Sequence, residues 1–376
     1  MAAVLRDRPV VVVGAGIGGL TAALALARRG AAVTVLERAA DLSEVGAGIQ
    51  LSANAVRVLE ALGLSDALDR CSLRNRAVHL RDASGASVLR MDLMAHRPQA
   101  RFLLIHRARL IAVLARAATA AGVQIRTGQE VTAPPDAPLV IGADGLKSRI
   151  RAALNGQEVP FFTGQTAWRA LIAEDVAPQP EAQVFMGRGR HLVSYPLAGG
   201  LRNIVAVQER RDWQDEGWSH PDAPANLRAA FAGFAGPVPG WLSAVEEVHV
   251  WGLFRHQVAA RWHDDGRAIL GDAAHPTLPF LAQGAGMAIE DAWVLAACLD
   301  ADGDQAAALA LYQTARQPRV TRIVEAANAN ARNYHLGGLK RVVGHGVLRL
   351  AGRVAPSFMP GRFDWLYDHD PVAQHP

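Results

Sequence analysis

Asp272 and the glycines 284 and 286 lie in one run, GDAAHPTLPFLAQGAGMAIEDA, from Gly271 to Ala292. The run starts where a strand-like AIL ends and finishes inside an apolar helix. The first N–H groups of a helix have no intrahelical acceptor, and with the helix dipole they favour negative charge on a bound group. Glycines there let the backbone approach that group. Gly284, Ala285, Gly286 and Met287 are therefore candidate backbone contacts to a group carrying negative charge. Asp272 is a candidate acceptor for hydroxyl donors. A second cluster, GAGIGG, forms a GxGxxG on Gly14, Gly16 and Gly19. In such a turn the first glycine allows the tight bend, the second admits a pyrophosphate and the third lets helix and strand pack closely. Glu37, followed by Arg38, ends the next strand, where a carboxylate can take two ribose hydroxyls. Between a strand and a helix, this pattern points to dinucleotide binding rather than to a plain βαβ turn.

These groups need rigid elements behind them. PVVVVGAGIGGLTAALALARRGAAVTVLER (9–38) reads as strand, helix and strand, with Leu20, Leu24 and Ala27 at helical spacing and Gly30 closing the helix. Helices are expected at 53–62 and 105–122, and a strand runs into the turn of LVIGADG. Short strands are expected between 71 and 101, and three more in TAWRALIAEDV, HLVSYPL and RNIVAVQE. A weak helix is expected over 223–234. RAILGDAAH then returns to the strand–loop–helix pattern, followed by two helices to about Asn333 and an aromatic, irregular tail around RFDWLYDHDP. The α/β segments are interrupted twice by β-rich stretches, so two domains are expected to interleave.

The chain of 376 residues is half hydrophobic and one-fifth charged, as in a soluble protein, with a formal charge of +4. Lysine occurs only at Lys147 and Lys340, and the arginines are dispersed, which is no nucleic-acid footprint. Cys71 and Cys298 form neither a CxxC nor a disulfide framework, which suits a reducing compartment. The N-terminus enters a strand without a signal-peptide cleavage site, and no run reaches the ~18 apolar residues of a membrane span. The expectation is a cytoplasmic protein, monomer or homodimer, with no membrane span, no nucleic-acid partner and no metal. HxH, HExxH and GxSxG patterns are lacking.

On these motifs the chain resembles the class A FAD-dependent aromatic hydroxylases, especially the salicylate and 3-hydroxybenzoate hydroxylase branch. The resemblance runs from GAGIGGL to DWLYDHD. It implies an α/β fold: a Rossmann-like FAD-binding domain of the glutathione-reductase type (1–70, 100–165 and 255–330) interleaved with a β-sheet substrate domain (71–99 and 166–254), plus a helical or irregular 331–376. It implies FAD on the GxGxxG. Arg107 in IHRARL matches an arginine that reaches the phosphate–ribityl region. Asp144 in ADGLKSRIR, with Ser148 and Arg151, matches a motif associated with FAD and NAD(P)H, and Asp272 matches the aspartate that binds the ribityl chain. The 284–287 backbone would then stabilise the charge of the reduced ring, and a side chain at Gly286 would push that ring away. Pro279 and Phe280 match the flavin-facing loop.

The implied reaction is hydroxylation of a small aromatic ring, hydroxylated or carboxylated, by NADH or NADPH and O2 through a C4a-hydroperoxyflavin. The alternatives are a quinone precursor, a purine-like ring or a polyketide as substrate, or a flavin-binding redox protein that oxygenates nothing. No second GxGxxG occurs, so NAD(P)H is expected to bind transiently. His191 and Tyr195 share a strand face in HLVSYPL. With Pro279 they are the candidate catalytic residues, although His191 also reads as a core histidine. Trp168 and Arg169 are further pocket candidates, and His275 reads as structural. The stretch between Ile125 and Leu139 is shorter than in relatives. Where some relatives place a histidine base, this chain has Gln50 and, roughly, Arg210.

Overall fold

A computed structural model of the chain describes residues 5–42, 47–174, 180–211, 213, 220–301 and 304–376. One sheet has five parallel strands in the spatial order Arg267–Ile269, Val140–Gly142, Pro9–Val13, Ala32–Leu36 and Gln124–Arg126. PVVVV and AVTVL are rich in β-branched residues because a parallel sheet is covered on both faces. Between these two strands the helix Ile17–Arg28 is buried from Ile17 to Leu26. It lies against the helix Gly284–Ala301, with Ala288 below Gly18: a Cβ on Gly18 would come 3.0 Å from the Ala288 Cβ. The carboxyl ends of four of these strands carry Gly14, Glu37, Asp144 and Asp272, so four motifs scattered through the sequence meet at one edge of one sheet.

The second sheet has eight strands, in the order His220–Asp222, Val248–Arg255, Phe161–Ala173, Leu201–Glu209, Arg190–Leu197, Glu181–Gly187, Ala77–Asp82 and Ser87–Asp92. All neighbours are antiparallel except Glu181–Gly187 beside Ala77–Asp82. Two of its strands, EAQVFMG and VHVWGLFR, were not foreseen. EAQVFMG alternates only over its first four residues and VHVWGLFR runs apolar from Val250 to Phe254, so neither shows the sustained alternation that marks a half-exposed strand. One face packs Trp168, Phe185 and Ile204 on Phe231 and Trp241. The other packs Ala167, Val207 and Trp251 on Leu278, Phe280 and Ala331. A three-stranded sheet, Gly48–Leu51, Leu103–His106 and Ser72–Arg74, bridges the two larger ones. The buried Asn203 Oδ1 accepts the Gly48 N–H at 2.7 Å.

The long helix Gln305–Tyr334 follows Gly284–Ala301. The tail is more ordered than its composition suggested: Gly338–Val354 is a helix of 17 residues, followed by three short helical turns. Arg57 donates to the carbonyls of Tyr367 and His369, and Arg319 to those of Trp365 and Leu366, which ties the tail to the parallel-sheet unit. No described helix is long and apolar enough to cross a membrane.

Candidate active site

A cavity of about 320 Å³ lies between the glycine turn, the eight-stranded sheet and the start of the Gly284–Ala301 helix. Gly16, Arg107 and Asp272 border one end, Gly284, Ala285 and Pro279 the middle, and Arg169, His191, Tyr195 and Trp251 the sheet wall.

At the first end the three motif glycines differ in what surrounds them. Gly14 has φ +101°, and a Cβ there would sit 2.5 Å from the Ala143 carbonyl oxygen. A Cβ on Gly19 would sit 2.0 Å from the Gly14 oxygen, so that glycine serves helix–strand packing. A Cβ on Gly16 would meet nothing within 4 Å, so the middle glycine faces open space. Glu37 accepts the Ala15 N–H at 2.7 Å and the Ala39 N–H at 2.9 Å, which pins the carboxylate to the turn and leaves lone pairs for further donors. Arg38 follows it, exposed.

Asp272 faces the cavity, exposed at its surface although protein surrounds it. Burial pushes its carboxyl above the usual range, opposed by the charges of His275 and Arg107. Among the described residues no hydrogen bond to its side chain accompanies the charges of His275 and Arg107. A carboxylate exposed on a cavity wall is free to accept from a ligand's hydroxyl donors. Its position is set from behind. His275 Nε2 and the Gly271 N–H both meet Asp291 Oδ2, at 2.5 and 3.1 Å, and Arg316 donates to Asp291 Oδ1 at 2.8 Å.

Asp144 lies beside the cavity rather than on its wall. Ser148 Oγ donates to one of its oxygens at 2.5 Å and the Arg149 N–H to the other at 2.7 Å. Arg151 donates to the carbonyls of Ala273, Ala274 and Gln257. This motif therefore braces the loop that carries Asp272. Of the four residues expected at the helix mouth, Gly284 and Ala285 reach the cavity. The Met287 N–H is already committed to the Gln283 carbonyl at 2.8 Å, and its side chain is in the core. Gly286 points elsewhere: a Cβ there would meet Gln283 Oε1 at 3.3 Å and Ala55 at 3.6 Å. The cause is the ~100° turn per helical residue, which swings the third and fourth positions away from a wall touched by the first two.

On the sheet wall, alternation sends Arg169 to the cavity and Trp168 to the opposite face, where its Nε1 donates to Asp222. Phe280 packs behind the cavity, its ring centroid 5.2 Å from that of His191, while Pro279 stays on the wall. Gln50 lines the cavity; Arg210 instead lies over the rings of Trp168 and Trp213. Tyr195 is buried, and burial raises its hydroxyl pKa. His191 Nδ1 is 2.7 Å from His335 Nε2, and His335 Nδ1 is 2.8 Å from Glu209 Oε1. Burial pushes His191 well below the ordinary histidine range, with His335 adding to the effect.

Two groups of residues escaped sequence reasoning. His335 and Glu209 are 144 and 126 positions from their partners, and no local pattern announces them. The second group is the cluster of Ser52, Asn54, Gln283 and Glu290, closed by Arg316 and Arg319. For this cluster a signal existed: adjacent acids in an apolar helix must be paired.

A profile of the FAD binding domain family matches residues 7–137 and 135–327. The 3-amino-4-hydroxybenzoate 2-monooxygenase PtnB3 of Streptomyces platensis is 38% identical over 363 residues, covering 89% of this chain and 91% of that protein. The chain belongs to the FAD-dependent aromatic monooxygenases. Among these monooxygenases, the 3-hydroxybenzoate 6-hydroxylase of Klebsiella oxytoca is 34% identical, covering 98% of this chain and 97% of that one. The crystal structure of Klebsiella pneumoniae HpxO complexed with FAD and uric acid superposes with a TM-score of 0.80 at 27% identity, covering 92% and 94% of the two chains. The cavity's first end fits FAD. The open space at Gly16 suits a phosphate, and the unpartnered Asp272 carboxylate suits a polyhydroxylated chain.

Proposed function

We propose that this monooxygenase uses NADH or NADPH and O2 to hydroxylate a small aromatic ring that carries a hydroxyl and an acidic group. One observation carries the reading: a single cavity joins the cofactor end, at Gly16 and Asp272, to a chamber walled by Arg169, His191, Tyr195 and Trp251. Bound FAD supplies the chemistry of accepting two electrons from the nicotinamide and activating oxygen. The chain's own residues do the rest. Gly14, Gly16, Gly19, Glu37 and Arg38 hold the adenosine and pyrophosphate half. Arg107 and Asp272 would hold the ribityl–phosphate region, and the Gly284 and Ala285 N–H groups at the helix start would favour negative charge on the bound group. The Arg169 guanidinium, 4.3 Å over the Trp251 ring, sets positive charge beside the chamber, which favours an anionic substrate. Val193, Val205 and Leu253 exclude water around it.

The test is NAD(P)H oxidation by the purified, yellow protein with 3-hydroxybenzoate, 3-amino-4-hydroxybenzoate, 6-hydroxynicotinate and uric acid, with products read by mass spectrometry. Stimulated oxidation and a product one oxygen heavier support the reading. Slow oxidation that no ring stimulates would assign the chain to redox proteins that oxygenate nothing. Stimulation by uric acid alone would move the substrate to purine-like rings.

A further inference from the structure

We propose that His191, His335 and Glu209 form a proton relay that takes the phenolic proton of the substrate from the cavity to the protein surface, with His191 Nε2 as the accepting atom. The proposal rests on the reading of the substrate as a hydroxylated ring.

The three groups lie in line. The cavity ends at His191, whose ring is 1% exposed; His335 is buried behind it; Glu209 follows, with 56% of its side chain exposed. The links are 2.7 Å and 2.8 Å, both within hydrogen-bond range. The exposed carboxylate sets every proton in the chain. An ionised carboxylate only accepts, so His335 carries its proton on Nδ1 and donates it to Glu209. Neutral His335 then presents a lone pair at Nε2, which obliges His191 to donate from Nδ1. What remains is a lone pair on His191 Nε2, on a ring that lines the cavity. The groups packed around His191 are Phe280 and Tyr334, at 5.2 and 5.3 Å between ring centroids, with Tyr195 on the same strand face and Arg169 across the cavity. Burial also raises the hydroxyl pKa of Tyr195 and Tyr334, so neither competes as a base at neutral pH.

The transfer balances. The substrate O–H bond breaks and an N–H bond forms on His191 Nε2. The Nδ1 proton of His191 passes to His335 Nε2, and the Nδ1 proton of His335 passes to Glu209 and on to water. Both imidazoles end neutral in the opposite tautomer. Transfer in the reverse direction reprotonates the product's oxygen and resets the relay. The phenolate left behind is the more electron-rich ring, which is the form that accepts an electrophilic oxygen. Where some relatives place a histidine this chain has Gln50 and, roughly, Arg210, and the base of the relay stands instead on the strand Arg190–Leu197.

The experiment uses the FAD-loaded protein, its Glu209→Gln and His335→Gln variants, and whichever of 3-hydroxybenzoate and 3-amino-4-hydroxybenzoate the wild type hydroxylates, together with its ring-fluorinated analogues. Glu209→Gln is at the surface and keeps the shape of the side chain, so the fold is not at stake. It can no longer accept the proton. Both variants are expected to lose roughly a hundredfold in kcat/KM with the parent phenol. The loss should shrink as fluorination makes the phenol more acidic. The ultraviolet band of bound phenolate at neutral pH should be present in the wild type and absent in the variants. A deficit that is equal for every analogue, or an unchanged phenolate band, assigns the three residues to packing and overturns the relay. If the wild type hydroxylates no phenol at all, it is the substrate reading that fails, and the relay fails with it.

Discussion

A Cβ on Gly19 would sit 2.0 Å from a backbone oxygen, whereas one on Gly16 would sit in open space. The two glycines of one motif should therefore fail differently. Gly19→Ala is expected to lower the stability of the FAD-free protein by about 1–3 kcal/mol, since backbone must move to admit the methyl. Gly16→Leu should leave that stability near wild type and abolish FAD retention. Thermal melting of apoprotein, alongside the flavin absorbance of protein as purified, separates the two. Asp272→Ala is expected to weaken FAD by about 1–3 kcal/mol, roughly tenfold to a hundredfold in Kd, because ribityl hydroxyls would lose their acceptor. Titration of apoprotein with FAD measures it, and an unchanged Kd would remove Asp272 from the cofactor site.

At the scale of elements, the helices Gly284–Ala301 and Gln305–Tyr334 are locked by charge. Glu290 and Asp291 are fully buried and face Arg316, with Arg319 closing on Glu290. Removing one partner of such a network strands the others, so Glu290→Ala is expected to cost about 3–5 kcal/mol in chemical denaturation. The same network makes the fold acid-sensitive in two stages. Burial depresses His369 to about 4. The unfolded chain therefore binds the extra proton first, and stability falls as pH drops from about 6.5 towards 4. The Arg316 and Arg319 charges, working against burial, hold Glu290 down at about 2. Its contribution is present above the ordinary glutamate range and is lost as pH falls from about 4.5 to 2. Denaturation midpoints across this range should show both declines, and His369→Phe should lessen the upper one, to which the buried His191 and His335 also contribute, without changing the lower. A valine at Gly286 belongs to this scale as well. It would press on Gln283 and the Asn54 cluster, so its first effect should be on the fold rather than on the flavin.

For the molecule as a whole, the helix Gly338–Val354 buries His345 against the large sheet and is tied there by Arg349 to Asp82. Its outer face carries Leu339, Val343, Val347, Leu350 and Val354, each more than half exposed. Their 3–4 spacing is that of a helix-pairing seam. The chain is expected to form a homodimer through this face. Light scattering at micromolar concentration should give twice the chain mass, and Val347→Asp with Leu350→Asp should halve it. A monomeric wild type would contradict this.

What the residues determined alone was local. Gly14, Gly16, Gly19 and Glu37 stand at a strand–helix–strand turn set by short-range pattern, while Arg107, Asp144 and Asp272 were marked by resemblance to a family. Even there the structure separated residues that meet the cavity from residues that brace it, because helix rotation and strand alternation act over one or two positions, finer than a motif can resolve. The other end of the cavity was closed to such reading. His191 gains its partners from a strand next to its own and from the end of a helix 144 residues on. The strands Glu181–Gly187 and Val248–Arg255 lose their alternation part-way because the tertiary structure buries both faces of Val184–Gly187 and Val250–Leu253. Contacts between residues far apart in sequence leave no periodicity in it, and only the assembled sheets decided which histidine, carboxylate and arginine would share a cavity.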